Sequence, residues 1–493
     1  MKLNKKIIVL GGGTAGWLAA LFAKKYISND VTLIESKKLG IIGVGEGTVP
    51  SINDFLRSVD IHPYEVIANT GGTIKKGISF ERWNENNDKD IYFHNFSDRG
   101  PFNQHSINGV FSHECKDYYI KNCVSKNLDL KECLWSSKVA YANKIDHENV
   151  LNALHFDTYA LGDYLSTKAD ERGIKHIDGI FEDLTLDDQG FINQIILQDN
   201  RKFDCDFIFD CSGLSKAIIG KKLNEPFISY SDTLAMKKAI VIPKQEAGYY
   251  PYTKAIAMKY GWTFEIPLQH RIGRGYIFDS DYINESQAHD EVEQFYGEDI
   301  EVKKVIEFDA GRMKNAWVKN CVSLGLAQSF VEPLEATSIF VTTEMLSLLK
   351  HFINDIQKFN ENSVKEYNNV VDEMVDGVRD FIRFHYISKR NDSEFWRDYP
   401  EKYKMSDYLA WIVDCLRNGE LKFSQMRGQY AKFTLFSWLV VGNGMKLFTK
   451  YNNSGYEDMN PSIEEYLKFM DDNIKHLPTS KEWYNTTNAN FKI

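Results

Sequence analysis

Residues 7–21 read IIVLGGGTAGWLAAL, and the architecture of the chain turns on what the glycines at 11, 13 and 16 do. Ile7 to Leu10 is a short apolar run of β type, and Trp17 to Tyr26 has the composition of a buried helix, so Gly11, Gly13 and Gly16 fall at a strand-to-helix turn, with Thr14 and Ala15 opening the helix. In that arrangement the first glycine turns tightly, the second lets backbone approach a pyrophosphate, and the third lets helix pack on strand. The helix start adds unpaired N–H groups and a partial positive charge. A second apolar run, Val31 to Ile34, ends in Glu35, near the spacing of an acid that binds a ribose hydroxyl. An acid there disfavours a 2′-phosphate and leaves FAD or NAD as the dinucleotide.

At 493 residues the chain is long enough for two or more packed modules. Its net charge of −10 offers no basic footprint for nucleic acid, and no uninterrupted apolar run approaches a membrane span. The seven cysteines are spread out without a CxxC pair, which argues against a disulfide framework and against a zinc site or other metal centre. The expected compartment is a reducing cytoplasm.

Only 11 prolines punctuate the chain, and no low-complexity tether appears, so any domains interleave. Residues 180–212 alternate apolar and polar positions, with turns at Asp188-Gln189-Gly190 and Asp199-Asn200. That pattern predicts a β-meander leading into a buried strand, Phe207 to Phe209, with Gly213 beyond it. From 341 the period becomes helical. Met345, Leu348, Leu349, Phe352, Ile353 and Ile356 form one apolar face. Val364, Tyr367, Val371, Met374, Val378 and Phe381 form another, which a Ser363/Glu366 capping box is expected to start. A βαβ start followed by a meander and a distant strand fits FAD flavoproteins better than NAD dehydrogenases.

Five segments in order, LGGGTAGWLAAL (10–21), GVGEGTVP (43–50), WTFEIPLQHRIGRGYIF (262–278), NCVSLGLAQSFVEPLEATSIF (320–340) and DFIRFHYISKRNDSEFWR (380–397), resemble the flavin-dependent tryptophan halogenases over roughly residues 7–440. The resemblance implies a mixed α/β fold. A Rossmann-like FAD module of the flavoprotein monooxygenase type would span 1–345, with 85–160 contributing to the substrate pocket, and a mainly helical substrate-binding module would span 346–493. It also implies the activity: reduced FAD from a separate NADH-dependent flavin reductase, together with oxygen, oxidises chloride, bromide or iodide to hypohalous acid. That oxidant passes through a tunnel to a small aromatic substrate. A homo-oligomer is compatible with this reading. The competing readings are an FAD monooxygenase or oxidase, and a flavin-binding protein without turnover.

By the same resemblance Gly45, Glu46 and Leu326 join Gly11, Gly13, Thr14, Ala15, Gly16 and Glu35 as cofactor-binding positions. The tunnel lysine falls on Lys75 in TIKKGISFERW, with Lys76 as the neighbour one register away; on a strand the two point to opposite faces. The lysine either polarises hypohalous acid as a cation or N–H donor, or forms a haloamine. Glu335 matches the active-site glutamate, which stabilises the cationic ring intermediate and helps remove its proton. It is also an ordinary helix-start acid after Pro333. Thr337 and Ser338 occupy the halide positions, where the family pattern is serine-threonine-glycine and this chain has Ala336-Thr337-Ser338. His94 and Phe96 match the aromatic pair against the substrate ring. Of the WxWxIP tunnel signature, Trp262, Ile266 and Pro267 stand and Phe264 replaces the second tryptophan. The anchors for an amino-acid substrate have no convincing counterpart in FTLFSWLVVGNGM (433–445), although Trp438 is a candidate ring contact. The expected substrate is therefore an indole, phenol or other electron-rich aromatic.

Overall fold

The computed structural model of the chain describes residues 2–36, 38, 40, 43, 45–96, 120, 123, 124, 126, 128–146, 152–419, 433–448 and 463–492. The strand Leu3–Leu10 lies inside a six-stranded sheet, and its apolar end Ile7 to Leu10 is buried, as a strand covered on both faces requires. It pairs in parallel with Ser28–Glu35 on one side and with Phe207–Asp210 on the other, Ile7 facing both Val31 and Phe207. The buried strand expected near 207 thus completes the first sheet from far along the chain. Lys175–Asp178 and Cys321–Ser323 flank these three in parallel, and Trp317–Val318 closes the far edge antiparallel. The meander folds as Phe181–Leu186, Ile192–Leu197 and Lys202–Asp204, turning at Gly190 (φ +82°) and Asn200 (φ +66°).

Three further sheets carry the rest of the β structure, one of them formed by Phe227–Ser229, Gly311–Met313 and Ser329–Phe330. In chain-spatial order the largest one holds Lys304–Glu307, Lys238–Val241, Ile272–Phe278, Gly261–Pro267, Thr253–Ala257, Gly77–Glu81 and Ile91–Asn95. A small sheet joins Glu46–Gly47 and Thr73–Lys75 through Ala153–Phe156. The extended chain passes from the small sheet at Lys75 directly into the large one at Gly77.

Helices dominate after Thr337. The helix Thr337–Leu349 runs through position 345 without a break, and Glu361–His385 follows, burying the predicted face from Val364 to Phe381. The second helix starts before the expected Ser363/Glu366 box. Asn360 is its N-cap and its side chain accepts from the Asn362 N–H. Both Asn360 and Ser363 are good caps; the earlier one prevails because Glu361 and Asn362 tolerate helix and the extra residues add backbone hydrogen bonds. One apolar core contains Val9 and Trp17 as well as Val371, Phe381 and Trp438, so the nucleotide sheet and the helical region share an interior. The helix Ser480–Phe491 returns to pack on Pro63–Thr70, and Tyr484 OH accepts the Ile74 N–H at 2.9 Å. Among the described residues no helix is long and apolar enough to cross a membrane.

The first helix, Thr14–Phe22, follows a turn in which Gly11 has φ +116°, a conformation that favours glycine. A Cβ at Gly16 would overlap the Gly11 carbonyl oxygen. Gly16→Ala is therefore expected to destabilise the protein by about 1–3 kcal/mol, measured by urea unfolding. A variant with wild-type stability would show that helix and turn are not in the close contact described.

Candidate active site

The glycine turn opens into a cavity of about 670 Å³ that runs between the six-stranded sheet and the large sheet. Gly11, Gly13, Thr14, Ala15, Glu35, Gly45, Glu46 and Leu326 all line it, whereas Gly16 is spent on the helix contact. The local chemistry suits a dinucleotide. A Cβ on Gly13 would meet nothing within 4 Å, so the backbone there is open to a ligand, and no side chain caps the helix start at Thr14. The first N–H groups of that helix are left free for an anion. Glu35 accepts from His176 Nε2 at 2.8 Å, a partner that fixes its carboxylate at the end of the second strand. Deeper in, burial raises the Glu46 carboxyl to about 7, against a Thr158 hydrogen bond that lowers it.

The wall opposite is made by the strand Gly261–Pro267. Its alternation sends Trp262, Phe264 and Ile266 into the cavity, while Pro267 ends the strand outside the lining. Phe264 lies across from Gly275 on the next strand, where a Cβ would sit 2.7 Å from the phenyl ring; the glycine makes room for the ring. Trp262 is held from behind, its Nε1 donating to Glu332 Oε2 at 2.7 Å, and Tyr386 OH donates to the same oxygen at 2.6 Å. Burial raises Glu332 to about 7, opposed by those two donors.

Lys75 reaches this cavity and Lys76 does not. Lys76 is buried in an ion pair with Asp146 and donates to Asn152 Oδ1 at 3.1 Å. Lys75 Nζ is fully buried with no hydrogen-bond partner among the described residues, and it lies 5.0 Å from the centre of the Phe96 ring. Burial lowers its pKa to about 7, against the attraction of Glu335. Its strand is pinned by a buried chain, Thr73 Oγ1 to His155 Nδ1 and His155 Nε2 to Thr253 Oγ1, each 2.8 Å. Gly47 leaves space beside it, since a Cβ there would stand 3.2 Å from Nζ and 3.3 Å from the Ala336 methyl.

Beyond Lys75 lies a second cluster that does not line the cavity. Glu335 ends a short turn, Pro333–Glu335, and is 1% exposed. His94 Nδ1 contacts both its oxygens, at 2.9 and 3.0 Å. His385 Nε2 approaches Oε1 at 2.6 Å, out of line for a hydrogen bond, while its Nδ1 meets Tyr92 OH at 2.9 Å. Burial pushes the Glu335 carboxyl up, but the two histidines outweigh it and hold it down at about 2. Phe96 stands edge-on to His94 at 6.3 Å. Phe381 stands between His94 (5.5 Å) and Trp438 (4.8 Å) and stacks on Phe433 at 3.8 Å. Trp438 is buried, and its Nε1 has no hydrogen-bond partner among the described residues.

Ala336 adopts a left-handed conformation (φ +55°, ψ +42°) and turns the chain into the helix Thr337–Leu349, whose start has no side-chain cap. Ser338 on its first turn faces the cavity; Thr337 is buried beside it, its hydroxyl without a hydrogen-bond partner among the described residues. Sequence reasoning missed His155, His176, Glu332, Phe381 and His385. Only the last pair carried a signal, a phenylalanine and a histidine four residues apart on one helix face.

Comparison with known proteins places this geometry. Residues 6–461 match the tryptophan halogenase family. The chain is 33% identical to the tryptophan 7-halogenase RebH of Lentzea aerocolonigenes, over 97% of this chain and 93% of that one. Its fold superposes on Xcc4156, a flavin-dependent halogenase from Xanthomonas campestris, with a TM-score of 0.87 at 26% identity over 99% of each chain. BrvH, a flavin-dependent halogenase from Brevundimonas sp. BAL3, gives a TM-score of 0.86 at 26% identity over 98% of this chain and 99% of that one.

The two lysines predict opposite behaviour. Between pH 7 and 10.5 the unfolded chain holds the Lys75 proton that the native state has released, so this lysine makes stability rise with pH across that window. Lys75→Met is expected to be more stable than wild type at pH 7, with the gap closing towards pH 10 in chemical denaturation; a pH-independent gap would contradict the buried, unpaired ammonium. Lys76→Met strands the buried Asp146 charge and is expected to cost about 3–5 kcal/mol. An unaltered unfolding midpoint would contradict the ion pair.

Proposed function

Because the chain belongs to the tryptophan halogenase family, we propose that its cavity and the Glu335 cluster are the two compartments of a flavin-dependent halogenase with relaxed aromatic specificity. Enzymes of this family use reduced FAD, oxygen and halide, receive the reduced flavin from a separate flavin reductase and act on an aromatic substrate. When bound, the flavin supplies the oxidation of halide to hypohalous acid. The open backbone at Gly13, the uncapped helix start at Thr14 and the Glu35 carboxylate are the groups suited to hold it. Halide is assigned to the first turn of Thr337–Leu349, where uncapped N–H groups at Thr337 and Ser338 favour an anion.

The observation that carries the reading is the Lys75 ammonium. It is buried, without a hydrogen-bond partner among the described residues, and placed against Phe96 between the two compartments. A lysine so placed costs stability and gains a use only when something arrives for it to donate to. Its N–H groups polarise hypohalous acid and bring the halogen to the substrate side. Trp262 and Phe264 form an apolar wall that keeps the aromatic substrate from the flavin side. RebH is named for tryptophan; here the amino-acid anchors have no convincing counterpart in residues 433–445, and indoles and phenols are the assigned class.

Indole incubated with the protein, FAD, a flavin reductase, NADH, oxygen and bromide is expected to give monobrominated indole by mass spectrometry. Lys75→Ala is expected to lose that product while NADH consumption and reoxidation of the flavin by oxygen continue. Undiminished bromination by the variant would remove Lys75 from the chemistry, and an oxygenated product without bromine would replace the halogenase reading by a monooxygenase.

A further inference from the structure

Glu335 is not free to meet a substrate. Both carboxylate oxygens are occupied by His94 Nδ1, and His385 Nε2 crowds one of them from the other side. Tyr92 OH backs His385 at Nδ1, so the carboxylate is enclosed by ring nitrogens on two elements, the strand Ile91–Asn95 and the helix Glu361–His385. A carboxylate facing Nδ1 fixes the proton of a neutral imidazole on that nitrogen and leaves the other nitrogen as a lone pair. In His94 that other nitrogen, Nε2, is buried and has no hydrogen-bond partner among the described residues. The ring lies beside Phe96, whose face is turned to Lys75, and beside Phe381. The charged or titratable groups around it are thus Glu335 and His385 directly, Tyr92 behind His385, and Lys75 across Phe96.

We propose that His94 Nε2 accepts the ring proton released during halogenation, and that Glu335 is the positioning residue that aims this nitrogen and stabilises the imidazolium. The inference rests on the halogenase reading above. Ring π electrons form the carbon–halogen bond as the halogen–oxygen bond of the hypohalous acid breaks. The oxygen leaves as hydroxide and becomes water on taking a proton from the Lys75 ammonium. The carbon–hydrogen electron pair then restores aromaticity and the proton passes to His94 Nε2. His94 gains the charge that Lys75 gives up, so the net charge of the compartment is unchanged through the step, and a proton returning from His94 to Lys75 through water resets the site. This separates the two roles that one carboxylate would otherwise share: Glu335 supplies the negative field and His94 takes the proton.

Three measurements test it. In the flavin-free protein, ¹⁵N-histidine spectra are expected to place the His94 proton on Nδ1, and Glu335→Gln is expected to erase that preference; an Nε2–H tautomer in the wild type would overturn the proposal. With flavin, reductase, oxygen and bromide, His94→Phe keeps an aromatic ring but no base. It is expected to brominate indole about 10²-fold more slowly, with a primary isotope effect on ring-deuterated indole that wild type lacks. Hypobromous acid caught by a chemical trap without indole is expected to be equal in both. Wild-type bromination rate without an isotope effect in His94→Phe would reject His94 as the acceptor. Absence of trapped hypobromous acid from wild type would instead reject the halogenase reading itself. Should His94→Phe fail to fold, His94→Gln takes its place in the same assays.

Discussion

The protein buries a lysine ammonium and a glutamate carboxylate in one interior without letting them neutralise each other. A direct Lys75–Glu335 pair would satisfy both charges and remove the buried ammonium that, among the described residues, meets the cavity without a hydrogen-bond partner. The structure prevents that by surrounding Glu335 with two histidines and by placing the Phe96 ring against Lys75. Glu335 is thereby held ionised, while Lys75 feels its field only at a distance and is left with a lowered affinity for its proton. Each side of this arrangement depends on a different sheet or helix, and so the tertiary fold, not any local motif, sets the state of both groups.

The junction of two sheets makes the arrangement spatially workable. The small sheet brings Lys75 to the edge of the cavity through register with Ala153, and two residues later the chain enters the large sheet, which ends with the strand that carries His94. Lys76, at the joint, is turned the other way and tied to Asp146. Strand alternation at a single dipeptide therefore divides a cavity-facing position from an ion-paired one. The same period-2 logic along Gly261–Pro267 lines the cavity with Trp262, Phe264 and Ile266, and Gly275 opposite admits the phenyl ring at 264.

Local patterns were readable from the sequence because local physics dictates them. The glycine turn, the meander, the strand at 207 and the apolar face from Val364 to Phe381 each follow from spacing and composition, and each forms as expected. The helix start at Asn360 was misjudged because two good caps lie three residues apart and propensity alone does not rank them. Glu332, His155 and His176 left no trace in the pattern. Their partners, Trp262, Thr73 and Glu35, are remote in sequence, and a buried polar residue among apolar ones has the same appearance whether it is an anchor or a surface group. The site residues named by resemblance divide into a cavity set and a cluster set, a partition that only the fold reveals.

The bond from the Ile74 N–H to Tyr484 OH spans 410 residues. Loop closure over that distance is paid late, since Tyr484 is made 410 residues after Ile74. During synthesis the strand Leu3–Leu10 can pair with Ser28–Glu35 early, and Phe207–Asp210 can join them next. The strand that bears Lys75 gains its last backbone partner only when the helix Ser480–Phe491 docks. A nascent chain would thus pair the strands around its glycine turn well before the strand that bears Lys75 is locked in place by Tyr484.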